Sequence, residues 1–378
     1  MTKGLSLEFV PLTRDLLQAY DEFNARLHRT AIVGVPNRDR DGGVPAPMEA
    51  ERYVGVDGGG EVRGAYLLRW QSLWLRGKQV RGAALGLPIS EGIVNKRYAM
   101  VGVSVLRDAV KRCEDQYVLG GGGRDGNVFR IARHTGWQIA DVPFLFRVFK
   151  GRNFLRKLPQ MQHRVGRILT GFAGNTGLAQ LATDLLQAGS ALSHGGSFSL
   201  RQSSAVTVEE VRSLAEAAEE VWPRVKSQYT FCVVRDGAHV EPAFPPGRPD
   251  LRRLVVRFGG SIVGWTVVMT ESMSRLKAFL GDVTPGLIVD AFGDTSHATE
   301  IVRAATLYLA SQGVDVVMTN ASHQHWLSAY KKAGFLSWRS QFPLIVSQSL
   351  ARRIGDLPLT LPESHVSRGD GDGVHYLH

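Results

Sequence analysis

The sequence predicts an α/β (α+β) protein with two tandem domains, each a mixed, mostly antiparallel sheet flanked by helices. The chain has 378 residues and is 44% hydrophobic, more than a single core usually holds. The order helix, antiparallel strands, helix, strand, helix, strand occurs twice. Residues 129–137 also align with residues 327–335, and in each a helix is stopped by a glycine that precedes an aromatic residue. We therefore expect an internal duplication of about 150 residues.

The first half begins with a short strand at residues 7–10 and a helix. Apolar residues recur at helical spacing over residues 16–27, after Thr13, a suitable N-cap. Period-two patterns, with a glycine turn after the first run, predict antiparallel strands at residues 52–56, 62–70, 72–75 and 80–89. Helices and strands then alternate, at residues 103–112, 117–119, 128–134 and 142–149.

The second half shows a similar order. A Thr-x-x-Glu capping box at residues 207–210 predicts a helix that runs through residue 222. Apolar runs predict strands, at residues 231–235, 254–258, 262–269, 276–279, 287–290, 314–318 and 342–346. Helical spacing predicts two further helices that glycines end, at residues 300–311 and 326–332.

These elements divide the chain into four segments. They are a first domain (1–150), a basic helical connector with a Gly/Ser-rich loop (151–204), a second domain (205–350) and a C-terminal tail (351–378). Glycine and charged residues near the C-terminus predict that the tail is flexible.

The net charge of +10 is concentrated in the segment 147–167. That segment has no acidic residue and seven basic ones: Arg147, Lys150, Arg152, Arg156, Lys157, Arg164 and Arg167. Three interpretations follow: a solvated linker, a stretch that contacts anionic membrane lipid, or a phosphate-sensing rim of an active site. Nucleic acid is disfavoured as a partner, because aromatic residues do not alternate with the charges.

Several features favour a cytoplasmic protein. The chain has no apolar run long enough for a transmembrane helix, and no apolar signal segment near Met1. Cys113 and Cys232 lie far apart in apolar patterns, which argues against a disulfide framework. Peripheral contact with the inner membrane face is the alternative that the basic segment offers. No metal is expected, because His323 and His325 lack a nearby third ligand.

The repeated segment near the end of the chain resembles the late signature of the GNAT (Gcn5-related N-acetyltransferase) superfamily. That signature is a strand, a short helix of the form N-x6-Y-x3-G-F, and a strand. The second half has His323, Tyr330, Gly334 and Phe335 at these positions, with His in place of Asn. In the first half Ala132 replaces the Tyr. The element order over 5–150 and 205–347 is similar to that of double-GNAT proteins, which include polysaccharide-biosynthesis-associated acyltransferases and FemABX-like proteins.

The resemblance implies an acyl-CoA-dependent N-acyltransferase, with acetyl-CoA or another acyl-CoA as co-substrate. The implied acceptor is an amine such as an amino sugar or polysaccharide precursor, lipid- or nucleotide-linked in some cases. The family's pyrophosphate motif, V-x-P-x-x-R-x-x-G-x-G, fits residues 94–104 at Val94 and Gly102, with Ala99 and Ser104 in place of the Arg and the last Gly. The resemblance thus assigns coenzyme binding to Lys96, Arg97, Val101, Gly102, Val103 and Ser104.

A run of four glycines follows the strand at 117–119. Its spacing does not fit a dinucleotide-binding motif. In the GNAT fold this strand diverges from its neighbour and the acyl chain passes between them. The resemblance therefore implies that Gly120 and Gly121 let the co-substrate approach the backbone closely. A flexible turn is the alternative.

Two residues are candidates for proton transfer on the same resemblance. Tyr330 would reprotonate the leaving thiolate; the alternative is a residue of the helix core. Glu91 would deprotonate the amine through water, and the alternative is a solvated loop acid. In the second half Asp290 and Asp294 stand where a pyrophosphate would bind, so we expect the coenzyme in the first half and the acceptor side in the second.

Two other functions stay open at this point. The departures from the pyrophosphate motif also fit a catalytically degenerate GNAT-like binding or scaffold protein in envelope polysaccharide assembly. A FemX-like transferase that takes its acyl group from aminoacyl-tRNA is the other alternative.

Overall fold

The computed structural model describes most of the chain, namely residues 6–28, 50–120, 126–150, 178–196, 202–270, 283–338 and 342–371. Helices pack on two mixed sheets, which confirms the predicted fold class. The strands are β1 (Leu7–Pro11), β2 (Ala50–Asp57), β3 (Val62–Leu75), β4 (Lys78–Ser90), β5 (Gln116–Leu119), β6 (Gln138–Asp141), β7 (Phe144–Val148), β8 (Val206–Val211), β9 (Phe231–Val233), β10 (Leu251–Phe258), β11 (Ser261–Met269), β12 (Pro285–Gly293), β13 (Val316–Asn320), β14 (Leu336–Trp338) and β15 (Pro343–Val346).

The described helices lie between these strands and after the last of them. They are α1 (Leu17–His28), α2 (Val101–Arg112), α3 (Asn127–His134), α4 (Leu178–Ser193), α5 (Ala215–Val225), α6 (Gly237–Ala243), α7 (Ala298–Ser311), α8 (Gln324–Lys332), α9 (Gln348–Ile354) and α10 (Leu357–Thr360). The predicted strand at 276–279 lies outside the described residues.

The two sheets have the same plan. The first runs β1-β2-β3-β4-β5-β15-β6, with β9 beside one end of β3, and the second runs β14-β7-β13-β12-β11-β10-β8. Each has one parallel pair among its described strands, β4 with β5 and β12 with β13, and its other pairs are antiparallel. The repeated order predicted from the sequence is therefore repeated in space.

The halves exchange their last strands, which the sequence-based division at residues 150 and 205 did not predict. β7 belongs to the first half but pairs with β13 and β14 in the second sheet. β15 belongs to the second half but lies between β5 and β6 in the first sheet. Only Val142 and Pro143 separate β6 from β7, and the Pro143 carbonyl accepts a hydrogen bond from the Ala321 N–H (3.3 Å). This contact fixes the chain beside the end of β13 as it enters the second sheet.

The capping-box prediction at residues 207–210 is wrong. These residues belong to β8, which pairs antiparallel with β10, and the helix begins later, at Ala215. Val206, Thr207, Val208 and Val211 are β-branched, so they suit an extended edge strand. Glu209 and Glu210 are exposed there and do not cap a helix.

The C-terminal segment is also folded where the sequence suggested a flexible tail. α9 and α10 bury Leu350, Ile354 and Leu357 against the first sheet and β9. A reciprocal cap joins Ser367 to Asp370, and both are buried. The glycines and charges near residue 370 thus belong to a packed turn, and the prediction of flexibility does not hold for residues 351–371.

Candidate functional site

The neighbouring strands β4 and β5 separate after a short parallel contact. Among the described residues they pair only at Ala83–Gln116 and Ala84–Tyr117, although β4 continues to Ser90 and β5 to Leu119. A sheet that opens in this way leaves backbone groups of both strands available for an extended ligand. The end of β4 lies next to the N-terminus of α2, since a Cβ at Gly102 would lie 3.3 Å from Ser90 Oγ.

The N-terminus of α2 is suited to bind an anion. Met100 occupies the N-cap position without a side-chain hydrogen bond, and the first turn has no acidic residue. The backbone N–H groups of Val101, Gly102 and Val103 have no partner within the helix, and the helix dipole adds partial positive charge there. Ser104 donates its hydroxyl to the Met100 carbonyl (3.3 Å). The structure therefore places these four predicted residues on one helical turn.

Lys96 and Arg97 lie on the turn that leads into α2. They belong to the 3-10 helix Lys96–Tyr98, and both side chains are exposed. The Asn95 side chain fixes the turn by accepting the Arg97 N–H (3.0 Å). The buried Tyr98 ring anchors it against the guanidinium of Arg63, 4.4 Å from the ring centroid. Two cations are thus held beside the uncapped helix start.

Gly102 has little space for a side chain. A Cβ there would lie 2.9 Å from Ile131 Cδ1 and 3.3 Å from Ser90 Oγ. The glycine therefore lets α2 approach α3 and the end of β4 closely.

Gly120 has a structural reason to be glycine. Its φ of 93° is in the left-handed region, and a Cβ would lie 2.8 Å from the Phe342 ring. Its N–H donates to the Pro343 carbonyl (2.9 Å), so it joins β5 to the exchanged strand β15. Gly121 lies outside the described residues.

Glu91 is buried and paired with two arginines at the end of β4. Its Oε1 lies 3.2 Å from Arg26 Nε, and its Oε2 accepts a hydrogen bond from Arg63 at 2.9 Å. Arg63 also pairs with Asp57 at 2.7 Å. Both carboxylate oxygens therefore face guanidinium groups, which ties β2, β3 and α1 to the turn before α2.

Glu91→Gln is expected to lower the free energy of unfolding by about 2 kcal/mol, because two partly buried guanidinium groups lose a charged partner. Urea denaturation measures this loss. Glu22→Gln, at an exposed carboxylate of α1, is the matched control and should stay within about 0.5 kcal/mol. An unchanged urea midpoint for Glu91→Gln would contradict the structural role.

The corresponding helix start in the second half has the opposite character. Asp294 caps the turn before α7 by accepting the Ser296 N–H (2.9 Å), and Glu300 lies in the first turn of α7. The carboxylates of Asp294 and Glu300 give this helix start negative charge, which would repel a further anion.

The gap between β12 and β13 is filled by the chain itself. These strands pair through Leu287 and Met318 and then separate, as β4 and β5 do. Ser367 forms an antiparallel bridge with Ala321 at the end of β13, and Gly369 packs against the Val289 carbonyl of β12. In the described part of the chain no isolated β-bridge links a further segment to β4 or β5, and the C-terminal turn contacts β5 through Gly371, which lies against Leu119.

A buried ionic cluster fixes this segment. Arg235 pairs with Asp290 of β12 (3.1 Å) and with Asp370 of the C-terminal turn (2.7 Å), and all three side chains are buried. Burial alone would raise the pKa of Asp290, but Arg235 and His365 outweigh it and hold that pKa well below its usual range. Asp290 thus serves as an internal counter-ion and does not face a ligand site.

Tyr330 lies inside the second half. Its side chain is buried in α8, with its ring centroid 5.1 Å from that of Phe335. Burial raises the pKa of its hydroxyl, and a hydrogen bond with Thr319 only partly opposes this. The structure therefore places Tyr330 in the hydrophobic core and in the other half from Glu91.

The histidines near Tyr330 form part of an aromatic cluster. His323 caps α8, with its Nδ1 accepting the His325 N–H (3.3 Å). Burial, and then the neighbouring His365, lowers the pKa of His323 to about 3. Within the described ranges, no three or more His, Cys, Asp or Glu side chains are grouped to hold a metal ion.

The first residue of the basic segment is not a surface charge. Arg147 of β7 is buried, donates to the Ala333 carbonyl, and lies next to Gly334. Burial lowers the pKa of its guanidinium to about 10. Residues 151–167 lie outside the described part of the chain. No described helix combines the length and apolarity needed to cross a bilayer.

Solved structures share this architecture at low sequence identity. A protein of unknown function from Enterococcus faecalis, a probable N-acyltransferase, superposes with a TM-score of 0.52 at 8% identity, over 92% of this chain and 74% of the other. A GCN5-related N-acetyltransferase from Anabaena variabilis gives a TM-score of 0.53 at 10% identity, over 90% and 72%. The chain has a GNAT-like fold.

A third GNAT neighbour is part of a longer protein. It is the GCN5-related glucosamine N-acetyltransferase region of a fungal multi-domain GH3 beta-N-acetylglucosaminidase, with a TM-score of 0.50 and 14% identity, over 91% of this chain and 38% of the other. No protein-family model matches the sequence. No curated protein matches it either.

The GNAT signature did not point to the cluster around Arg235. Arg235 is the last residue of a predicted strand, and His365 and Asp370 lie in the segment expected to be flexible. One signal was present, since a Ser-x-x-Asp pattern at residues 367–370 matches a capping box and predicts a fixed turn.

Proposed function

We propose that this protein is an acyl-CoA-dependent N-acyltransferase whose first half binds the co-substrate. The contrast between the two helix starts carries the proposal. The start of α2 has no acidic residue in its first turn and is flanked by Lys96 and Arg97, whereas the start of α7 has the carboxylate of Asp294 in the turn before it and Glu300 in its first turn. A pyrophosphate fits the first site and is repelled from the second.

The diverging strands support the same position. β4 separates from β5 and ends next to the start of α2, so in this proposal a pantetheine arm that extends from the pyrophosphate would enter the gap between the two strands. The matching gap of the second half holds residues 365–369. The GNAT neighbours include N-acetyltransferases, which fits this use of the fold.

The proposed reaction is a direct transfer and needs no covalent intermediate with the protein. The amine nitrogen attacks the thioester carbonyl carbon, the C–S bond breaks, a base takes the proton from nitrogen, and the thiolate leaves and is protonated. The chain's part is to orient the thioester and to polarise its carbonyl through backbone N–H groups. Glu91 is the candidate base because it lies next to α2, and its two arginines would fix its position.

In this proposal the amine acceptor binds on the side of the second half. The second half would shape the acceptor site, and an amino sugar or a polysaccharide precursor is the acceptor class that we favour. The glucosamine N-acetyltransferase region among the neighbours carries a related activity on the same fold.

Isothermal titration with acetyl-CoA tests the co-substrate site. Lys96→Glu/Arg97→Glu reverses two exposed charges and is expected to weaken binding at least about 10-fold, because each charge-assisted contact contributes about 1.5–3 kcal/mol. Lys78→Glu, at the exposed first residue of β4, should bind as the parent does. Acetyl-CoA that produces no heat at millimolar concentration, or that binds the double variant normally, would overturn the proposal.

One other function is favoured by the gap between β12 and β13, which the chain itself fills. A protein in which one GNAT half has lost its ligand site and the other departs from the pyrophosphate motif would serve as a binding or scaffold module in envelope polysaccharide assembly. Partner binding without turnover across a panel of acyl-CoA donors would support this second function.

A further inference from the structure

We propose that a groove at the far end of α2 binds a small phosphorylated ligand, at a site separate from the co-substrate site. The groove has a volume of about 410 Å³ and lies between α2, the turn after α3, and α9. We call it the α2–α9 groove. It opens on the surface and is lined by residues 103–137 of the first half and residues 347–352 of the C-terminal segment.

The wall of the α2–α9 groove combines an apolar part with a cationic part. The apolar part consists of three side chains of α2 and one from the residue before β6, namely Val103, Leu106, Val110 and Trp137. The cationic part consists of Arg107, Lys111 and Arg352, and Glu114 is the one carboxylate of the lining. A ligand that fits has an apolar or aromatic body and a negative group.

The cations of the groove lack counter-ions, unlike their neighbours. Arg112 pairs with Asp108 (2.9 Å), and Arg353 pairs with Asp115 (3.0 Å). Arg107, Lys111 and Arg352 are exposed and form no ion pair among the described residues. On both helices, therefore, the arginines outside the groove lining have carboxylate partners, whereas the cations of the lining have none in the described part of the chain. The unpaired cations would attract an anion.

Phosphate is the negative group that suits this wall best. Arginine binds phosphate through two parallel N–H donors, and lysine adds a point charge. Ser349 and the Gln348 amide line the same wall. The Gln348 Nε2 donates to the Thr135 carbonyl (2.9 Å), which holds α9 against the turn after α3. The concave shape and the volume suit a small molecule, because a membrane or a nucleic acid presents a broad surface.

The cations of the groove lie away from the proposed co-substrate site, although the two sites adjoin at Val103, which lines the groove and contributes its backbone N–H to the start of α2. Lys111 follows Gly102 by nine positions, which is roughly 14 Å along a helix. The two sites therefore take different phosphates and can be removed one at a time. The proposal stands whether or not the protein is an acyltransferase.

Titration of the full chain with ADP, and separately with inorganic pyrophosphate, tests the site. Lys111→Glu/Arg352→Glu is expected to weaken ADP binding at least about 10-fold, since two charges reverse. Lys96→Glu/Arg97→Glu, which alters only the co-substrate site, should retain ADP binding at the groove. Lys111→Gln/Arg352→Gln should give an intermediate loss, and thermal melting confirms that each variant is folded.

Two results would contradict the proposal that the groove binds a phosphorylated ligand. One is the absence of heat with both probes at millimolar concentration and low salt. The other is ADP binding that survives Lys111→Glu/Arg352→Glu but disappears in Lys96→Glu/Arg97→Glu, because the nucleotide would then occupy only the co-substrate site.

Discussion

A chain that ends at Ser347 is expected not to fold. The truncation keeps β15 but removes α9, α10 and the turn that follows, which bury Leu350, Ile354, Leu357 and Val366 against the first sheet and β9. Burial of each such side chain contributes about 1.5–3 kcal/mol, so the loss is comparable with the stability of a whole domain, about 5–15 kcal/mol. Circular dichroism and urea denaturation measure the result.

A matched pair within α10 refines this test. Leu357 is fully buried and Leu359 is 74% exposed in the same short helix. Leu357→Ala is expected to cost about 2–5 kcal/mol, and Leu359→Ala less than about 0.5 kcal/mol. Cooperative unfolding of the truncated chain at the parent's midpoint would show that the segment is a dispensable appendage.

Arg235→Met is expected to destabilise the protein by about 3–5 kcal/mol, because it leaves Asp290 and Asp370 buried without their guanidinium partner. The control is Arg252→Met, which breaks an exposed pair with Glu210 and should cost less than about 1 kcal/mol. Arg235→Met combined with Asp290→Asn and Asp370→Asn removes the unpaired charges and should recover part of the stability.

The same substitution should reverse the pH dependence that this cluster contributes. In the parent the pKa of Asp290 is depressed, so its contribution is present above the unfolded value of about 4 and is lost as the pH falls. Without Arg235, burial raises that pKa, and stability is lost as the pH rises. The destabilisation by Arg235→Met should therefore be larger at pH 7 than at pH 4.5. An equal loss at both values would show that the carboxylates are not coupled to Arg235.

Elements with a clear period could be predicted from the sequence. The strands around the glycine turn at 57–60 and the helices that end at Gly136 and Gly334 lie where the patterns place them, because period and stop signals are local. The cluster of Lys96, Arg97 and Gly102 also lies together, since these residues are close in the chain.

Features that depend on partners far along the chain could not be predicted. The apolar pattern of β7 is the same whichever sheet it joins, so the exchange leaves no trace in residues 144–148. Arg147 and Arg235 are buried by contacts with Ala333 and Asp290, although charge alone suggests surface positions. Glu91 is paired with residues 65 and 28 positions away, Arg26 and Arg63, which no spacing rule links.

The strand exchange has a consequence for any attempt to divide the chain. The second half supplies β15 to the first sheet, and the first half supplies β7 to the second. A cut between the halves would therefore leave each sheet without one of its internal strands, so neither half carries a complete sheet by itself.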